Sequence, residues 1–372
     1  MNEIIIAGAS EIDNIGEFIA LTQKLNLNIS LVENEYMYGF IPDRYQEHVL
    51  KSSSVFYSNE IFIPLNEHWV SVAKRYQVAN ISENALKASR SKYYLSSVLN
   101  NNGASYQPRH YLDDVDIPPE FYIARVDSGY SSYGIVSNRD IGVFNKCNIL
   151  KSISLSINEV MNNVLDIDNN KVVVEEYLNG DEYSVDVFVN KDNIKVLRYF
   201  YKSISWVNGK PICDCYISVT TPKKISDYIT KWCQALFSDS SISFGHFDFI
   251  ISNEIPIPID FSCRVGGGLR SIKEYANSGS YIFNSIFTDK DFFQPFICQK
   301  NIVNNNSGVI KNVTYQVPSE YSIFKHRAIG DTLHGNISSS NAKIADICFL
   351  ASDLNSSIRR SNEINKMVIV HV

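Results

Sequence analysis

The segment FGHFDFIISNEIPIPIDFSCR, residues 244–264, carries side chains able to do chemistry at a regular spacing. The apolar run breaks at Asn253, Glu254 and Ile255, which places a turn there. Residues facing each other across an antiparallel pair then sum to twice 254, so Asp248 falls opposite Asp260 and His246 opposite Ser262. Alternation along a strand puts these four on one face. Phe247, Phe249, Ile251, Ile257, Ile259 and Phe261 form the other, the pattern of a core face. Opposed Cβ atoms lie about 5 Å apart, and two carboxylates at that spacing repel. A hard divalent cation would compensate them, since Mg²⁺ takes one or two carboxylates plus phosphate oxygens. The plainer alternative is an edge hairpin whose acids are simply solvated.

Three further segments could meet a phosphorylated ligand. Arg264 is followed by Val265 and the glycines 266–268, whose N–H groups can approach an anion beside the arginine fork. In VVVEEYLNGDEYSVDVFV, a strand ends in Glu175 and Glu176, an Asn179–Gly180 turn follows, and Glu182 opens the next strand. Backbone groups from Glu176 to Leu178 could face an adenine edge, and the Glu182 carboxylate could accept two ribose hydroxyls. In FYIARVDSGYSSYGIVSN, Arg125 leads into a loop with Gly129, Ser131, Ser132 and Gly134. Small residues with free N–H groups can fold over phosphates, although no Gly-Lys-Ser/Thr follows as a Walker loop requires. Lys92 and Lys202 are candidate cations. Each segment by itself reads more readily as a surface turn or a solvated charge.

The elements needed to position these groups are visible in the patterning. Glu3–Ala7 reads as a strand, Ile15–Leu25 as a helix and Asn28–Val32 as a second strand, the opening of an α/β layer. Gly8 reads as a tight strand–helix turn. Ser82–Asn100 reads as one helix running into the loop NNNGASYQP. Helices are also expected near Ser154–Val164 and over Ser226–Phe237, and a final strand over Met367–Val370. With 372 residues, 45% hydrophobic and 20% charged, disorder is excluded and two or three domains are expected. The net charge of −6, from 34 basic and 40 acidic residues, argues against a nucleic-acid partner. No apolar run has the length of a membrane span. Glu3 sits where a secretory leader would be positive, and the seven cysteines are scattered, so a cytoplasmic protein with reduced thiols is expected.

Taken in order, the lysine helix ahead of GASYQP, the small-residue loop, the strand–acid–hairpin and the acid–strand–acid–Arg–Gly end resemble the ATP-grasp family. The likeness runs from about Leu86 to Gly268 and points to the carboxylate–amine ligase branch, which includes D-alanine–D-alanine ligase and L-amino-acid ligases. It implies an α/β and α+β ATP-grasp fold, with a Rossmann-like N-terminal domain over 1–110, a small mobile lid over 111–178, a central antiparallel catalytic part over 179–300 and a C-terminal module over 301–372. It implies ATP and Mg²⁺, or Mn²⁺, as cofactors. Lys92, Arg125, Ser131 and Ser132 would contact the phosphates, Glu175, Tyr177 and Leu178 the adenine, and Glu182 the ribose. Lys202 would meet the γ-phosphate. Asp248, Asp260 and Ser262 would hold the metal, and Arg264 and Gly267 would face an acyl phosphate.

The partners implied are small-molecule carboxylates and amines, joined as an amide with release of ADP and phosphate; a homodimer is left open. Two positions depart from the family pattern. Arg125 stands where lysine is usual, and Asp260–Phe261–Ser262 replaces Glu-x-Asn. A degenerate ATP-grasp protein that binds nucleotide without ligating is therefore the alternative, with carboxylation or purine synthesis a third outcome.

Overall fold

Short apolar runs form the first layer of the computed structural model. The structure describes residues 4–12, 15–24, 26–39, 41–51, 61–116, 122–128, 134–138, 141, 143–156, 171–191, 193–207, 210–240, 242–266, 295–304, 306–333 and 343–372. Strands β1 (Ile4–Ala7), β2 (Ile29–Glu33), β3 (Val49–Lys51) and β4 (Ile61–Pro64) make a parallel sheet in the order β3-β2-β1-β4. Alternation along β1 sends Ile6 to one face, where α1 (Ile15–Lys24) packs Ile15, Phe18 and Ile19. Ile5 and Ala7 go to the other, with Trp69, Val70 and Ala73 of α4 (Glu67–Tyr76). Short helices α2 (Glu35–Tyr38) and α3 (Asp43–Gln46) fill the connection from β2 to β3. Gly8 has φ 107°, and a Cβ there would lie 3.1 Å from Leu65 Cβ, so it is a packed turn as expected.

The helix expected over Ser82–Asn100 is two helices, α5 (Glu83–Ala88) and α6 (Lys92–Asn101). Serine caps explain the break. Ser82 Oγ accepts from Ala85 N–H at 3.1 Å, and Ser91 Oγ from Tyr94 N–H at 3.0 Å. Asp127 holds the second start: its carbonyl accepts from Lys92 N–H at 3.2 Å and its carboxylate from Tyr93 N–H at 2.8 Å.

A four-stranded antiparallel sheet follows, in the order β5-β8-β6-β7: β5 (His110–Tyr111), β6 (Tyr122–Val126), β7 (Ile135–Ser137) and β8 (Val172–Glu176). Helix α7 (Lys146–Ser156) buries Ile149 and Ile153 against Leu112, Ala124, Val126, Val136, Val172 and Val174, a core of its own. Of the helix expected near Ser154–Val164, residues 154–156 are described, as the end of α7; residues 157–170 lie outside the described residues.

The central sheet has eight antiparallel strands in the order β13-β12-β9-β10-β11-β14-β19-β17. Its members are β9 (Asp181–Asn190), β10 (Asn193–Val207), β11 (Lys210–Ser218), β12 (Ile242–Ser252), β13 (Ile255–Ser262), β14 (Ile297–Val303), β17 (Ser322–Lys325) and β19 (Lys343–Leu350). Small pairs β15 (Gly308–Val309) with β18 (Thr332–Leu333), and β16 (Asn312–Tyr315) with β20 (Val368–His371), complete the C-terminal part. One face packs Val185, Tyr199, Phe247, Phe249 and Phe261 on α8 (Lys223–Phe237) through Trp232, Leu236 and Phe237, and on α5 and α6. Farther along, α9 (Leu354–Met367) packs Ile364 with Cys215, Ile217 and Cys298. The ladder from β11 to β14 and β19 carries the sheet straight through the boundary expected at 300/301.

In the 244–264 hairpin, Asp248 pairs with Asp260 and His246 with Ser262, as expected. The turn, however, is one residue shorter. Only Asn253 (φ 49°) and Glu254 (φ 65°) turn the chain, and Ser252 pairs with Ile255. A bulge between Asp248 and Phe249, with Ile259 as the extra residue, restores the register. The core face is corrected accordingly. Pro258 and Pro256 pair with Phe249 and Ile251 and are buried, whereas Ile257 pairs with Ile250 off that face. Prolines are tolerated because β13 is an edge strand, where a missing N–H breaks no ladder on the open side.

Candidate active site

The face of the central sheet opposite its aromatic core gathers charge from neighbouring strands. Glu182, Ser184 and Asp186 alternate along β9, and the register sets Lys202 of β10 opposite Glu182 and Asp248 of β12 opposite Ser184. Lys202 Nζ pairs with the Glu182 carboxylate and lies 3.3 Å from Asp248 Oδ1, which also accepts from Ser184 Oγ. His246 bridges two acids, with Nδ1 2.7 Å from Asp186 Oδ1 and Nε2 3.4 Å from Asp248 Oδ1. Asp186 is also paired with Arg198 and accepts from Gly266 N–H at 3.0 Å.

These contacts set the charges. Burial pushes the Asp248 carboxyl up, but Lys202, His246 and Ser184 together hold it well below the usual carboxylate range. Burial pulls Lys202 down, and Asp248 and Glu182 more than reverse this, so it stays an ammonium. Burial likewise lowers His246, yet its bonds to Asp186 and Asp248 raise it to about 9. The repulsion between opposed Asp248 and Asp260 is thus relieved within the chain, by Lys202 and His246 on one acid and by Lys92 on the other. Lys92, the first residue of α6, is buried and places Nζ 3.5 Å from Asp260 Oδ1. Burial lowers its pKa, and Arg125 and Arg109 add to this against Asp260.

The four-stranded sheet meets the hairpin through two arginines. Glu175 is buried between Arg109 Nε and Arg125 Nη2, each at 2.6 Å. The same guanidiniums donate to Ile259 O, at 2.7 Å from Arg109 and 2.6 Å from Arg125. The bulge residue therefore offers the carbonyl that docks β6 on β13. The Glu175 side chain is thus committed to the two arginines, which leaves its backbone for the adenine expected there. Tyr177 and Leu178 follow β8 half-buried, with the Tyr177 ring 5.8 Å from that of Trp206. Arg125 Nε is buried without an acceptor among the described residues.

Ser262 and Arg264 converge on a residue the sequence did not single out. Glu67 Oε1 accepts from Ser262 Oγ at 3.0 Å, Arg264 Nε at 2.8 Å and Arg264 Nη2 at 2.7 Å, and Oε2 lies 3.2 Å from Arg90 Nη1. The Ser262 hydroxyl, expected at the metal, is buried and donates to this carboxylate. Ser131, Ser132 and Gly267 lie outside the described residues.

Among the described residues no group of three or more His, Cys, Asp or Glu has the placement of a metal cluster. Asp248 and Asp260 remain, partly exposed at 24% and 34%. Two carboxylates fit Mg²⁺, which completes its shell with phosphate oxygens and water, and do not fit a cation that needs an all-protein cage. Arg109, Asp127 and Asp186 were also missed in the sequence. Only Asp186 had a signal, the four-residue step from Glu182 that keeps it on the same strand face.

Residues 126–272 match the family model described as an ATP-grasp domain. The chain carries an ATP-grasp domain. The likeness in fold extends over the full length. An L-amino acid ligase from Bacillus licheniformis superposes with a TM-score of 0.69 at 13% identity, over 100% of this chain and 98% of that one. N5-carboxyaminoimidazole synthetase from Staphylococcus aureus, complexed with ADP, gives 0.62 at 14% identity, over 97% and 96%. The biotin carboxylase domain of Hydrogenobacter thermophilus 2-oxoglutarate carboxylase, in complex with MgADP, gives 0.61 at 12% identity, over 100% and 91%. A sequence search of curated proteins finds no match. No helix of the described residues is long and apolar enough to cross a membrane, and none of the seven cysteines, all described, is in a disulfide.

Proposed function

We propose that the chain is an ATP-dependent carboxylate–amine ligase acting through an acyl phosphate. The observation that carries this is the pairing of each opposed aspartate with a lysine from a different element, Asp248 with Lys202 of β10 and Asp260 with Lys92 of α6. A nucleotide triphosphate with its divalent cation offers both kinds of partner at once, phosphate oxygens for the lysines and a cation for the acids. Bound Mg²⁺ would neutralise phosphate charge. Asp248 and Asp260 would hold it; the chemistry of the pair does not call on Ser262.

Lys92, Lys202 and Arg125 would line the phosphates, and the unaccepted Arg125 Nε supports an anion there. Glu182 would accept the ribose hydroxyls, with backbone after Glu175 and the half-buried Tyr177 and Leu178 at the base. The substrate carboxylate attacks the γ-phosphorus and the bond to the β-bridging oxygen breaks, releasing ADP. The amine then attacks the acyl carbon, phosphate leaves with one former carboxylate oxygen, and the nitrogen loses a proton. Arg264 and the glycines after it would face the transferred phosphoryl group. Residues 111–178 would act as a lid that keeps water from the acyl phosphate. Small-molecule carboxylates and amines in the cytoplasm are the substrates expected. The second reading, nucleotide binding without ligation, is favoured by one observation, the engagement of Ser262 with Glu67.

Hydroxylamine trapping separates the two. With Mg-ATP and carboxylates offered singly, a ligase forms a hydroxamate and releases ADP in equal amount. Binding of ATP with no ADP released from any carboxylate supports the second reading, and AMP with pyrophosphate contradicts both.

A further inference from the structure

Arg264 stands where β13 leaves the central sheet and enters the glycine run; its Nη1 donates to the neighbouring Val265 O at 2.6 Å, and its other two nitrogens are held from the N-terminal layer. Glu67, the first residue of α4 in the N-terminal layer, takes Arg264 Nε and Nη2 on one carboxylate oxygen and the Ser262 hydroxyl on the same atom. Arg90, just ahead of α6, takes the other oxygen. Glu67 follows β4 directly, with Asn66 capping α4 by accepting from Trp69 N–H at 3.2 Å. An anion in the first turn is favoured by the helix dipole. Burial pushes its carboxyl up, and Arg264 and Arg90 bring it below the usual value, so it is a carboxylate. A guanidinium has five N–H donors; Glu67 takes two and Val265 O a third, so a clasped Arg264 keeps donors for a second anion.

We propose that Glu67 is the positioning residue of Arg264, fixing its fork toward the transferred phosphoryl group, and that Ser262 is the third arm of this clasp. The clasp gives the serine of Asp260–Phe261–Ser262 a physical task. A hydroxyl can donate to Glu67, whereas a ligand oxygen is all a metal would use. It also makes the N-terminal layer part of the reacting site, because turning α4 away would release the arginine. This rests on the proposed role of Arg264 as a phosphoryl-facing group.

The test uses the full chain and inorganic phosphate as the probe, titrated calorimetrically in the presence of saturating Mg-ADP. Wild type is expected to bind phosphate. Glu67→Gln should weaken phosphate about tenfold or more while the Mg-ADP Kd stays within about twofold. Arg264→Gln and the double variant Glu67→Gln/Arg264→Gln should match each other, since the glutamate acts only through the arginine. Ser262→Ala, which removes a single hydroxyl and serves if Glu67→Gln does not fold, should weaken phosphate a few-fold and leave the Mg²⁺ midpoint for ADP binding unchanged. The proposal is overturned if phosphate affinity is unchanged in Ser262→Ala or Glu67→Gln, if the effects of Glu67→Gln and Arg264→Gln multiply, or if Ser262→Ala moves the Mg²⁺ midpoint. Absence of Mg-ADP binding by wild type would instead overturn the nucleotide reading, and Mg-ADP binding without phosphate binding would overturn the role of Arg264 and the clasp with it.

Discussion

Asp260 is half of an opposed acid pair and also the partner of a buried lysine, and these two roles pull its substitution in opposite directions. Asp260→Asn relieves repulsion with Asp248 but deprives Lys92 of its counter-charge. Asp260 is one-third exposed, so solvent screens the pair and the net change in stability is expected to stay within about 1 kcal/mol by urea unfolding. The Mg²⁺ requirement should nonetheless rise and turnover collapse, because a hard anionic ligand is lost. A Mg²⁺ titration unchanged by the substitution would remove Asp260 from the metal site. Glu182 carries a separate expectation. If its carboxylate accepts the ribose hydroxyls, wild type prefers ATP to 2′-deoxy-ATP, and Glu182→Gln should reduce that preference, with ATP weakened by about 1–3 kcal/mol. Equal loss for both nucleotides would instead assign Glu182 only to the ordering of Lys202.

The break between α5 and α6 is the feature that aims Lys92. Ser91 caps the second helix and Asp127 holds its first two N–H groups, so Ser91→Ala should cost about 1 kcal/mol. The same change should raise the KM for ATP more than it lowers kcat, because Lys92 begins that helix. The apolar spacing continues from Leu86 through Leu99, which is why the sequence reads as one helix; serine capping decides the break, and a serine in mid-helix looks the same in a linear pattern. The hairpin shows a second kind of legibility. Its acid pairing follows from alternation and symmetry about Glu254, yet the actual turn is shorter and the Ile259 bulge offsets it. Only near the turn, where the prolines take the core face, do the two registers differ. Bulges are set by what the extra residue must do, here the carbonyl that receives Arg109 and Arg125, and that partner lies about 150 positions away in sequence.

The charge-bearing strands of the central sheet were legible because period-two alternation is local, whereas the contacts that join the layers were not. Glu67 is separated by 195 positions from Ser262, and nothing in its own segment distinguishes it from an ordinary first-turn acid. Its titration should be visible in the whole molecule. A carboxyl held below its ordinary value of 4.5 contributes stability that is present above that pH and is lost as the pH falls through the folded-state value. The Tm of wild type should therefore fall more steeply with acid, as the pH drops below the ordinary carboxyl value of 4.5, than that of Glu67→Gln. Parallel curves would mean that the clasp does not hold the N-terminal layer to the hairpin. The ligase chemistry itself is tested most directly by an oxygen label. A substrate carboxylate enriched in ¹⁸O, incubated with Mg-ATP, amine and the full chain, should deliver one labelled oxygen to the inorganic phosphate released, in step with the amide formed. Amide formed with unlabelled phosphate, or labelled AMP, would contradict an acyl-phosphate ligase.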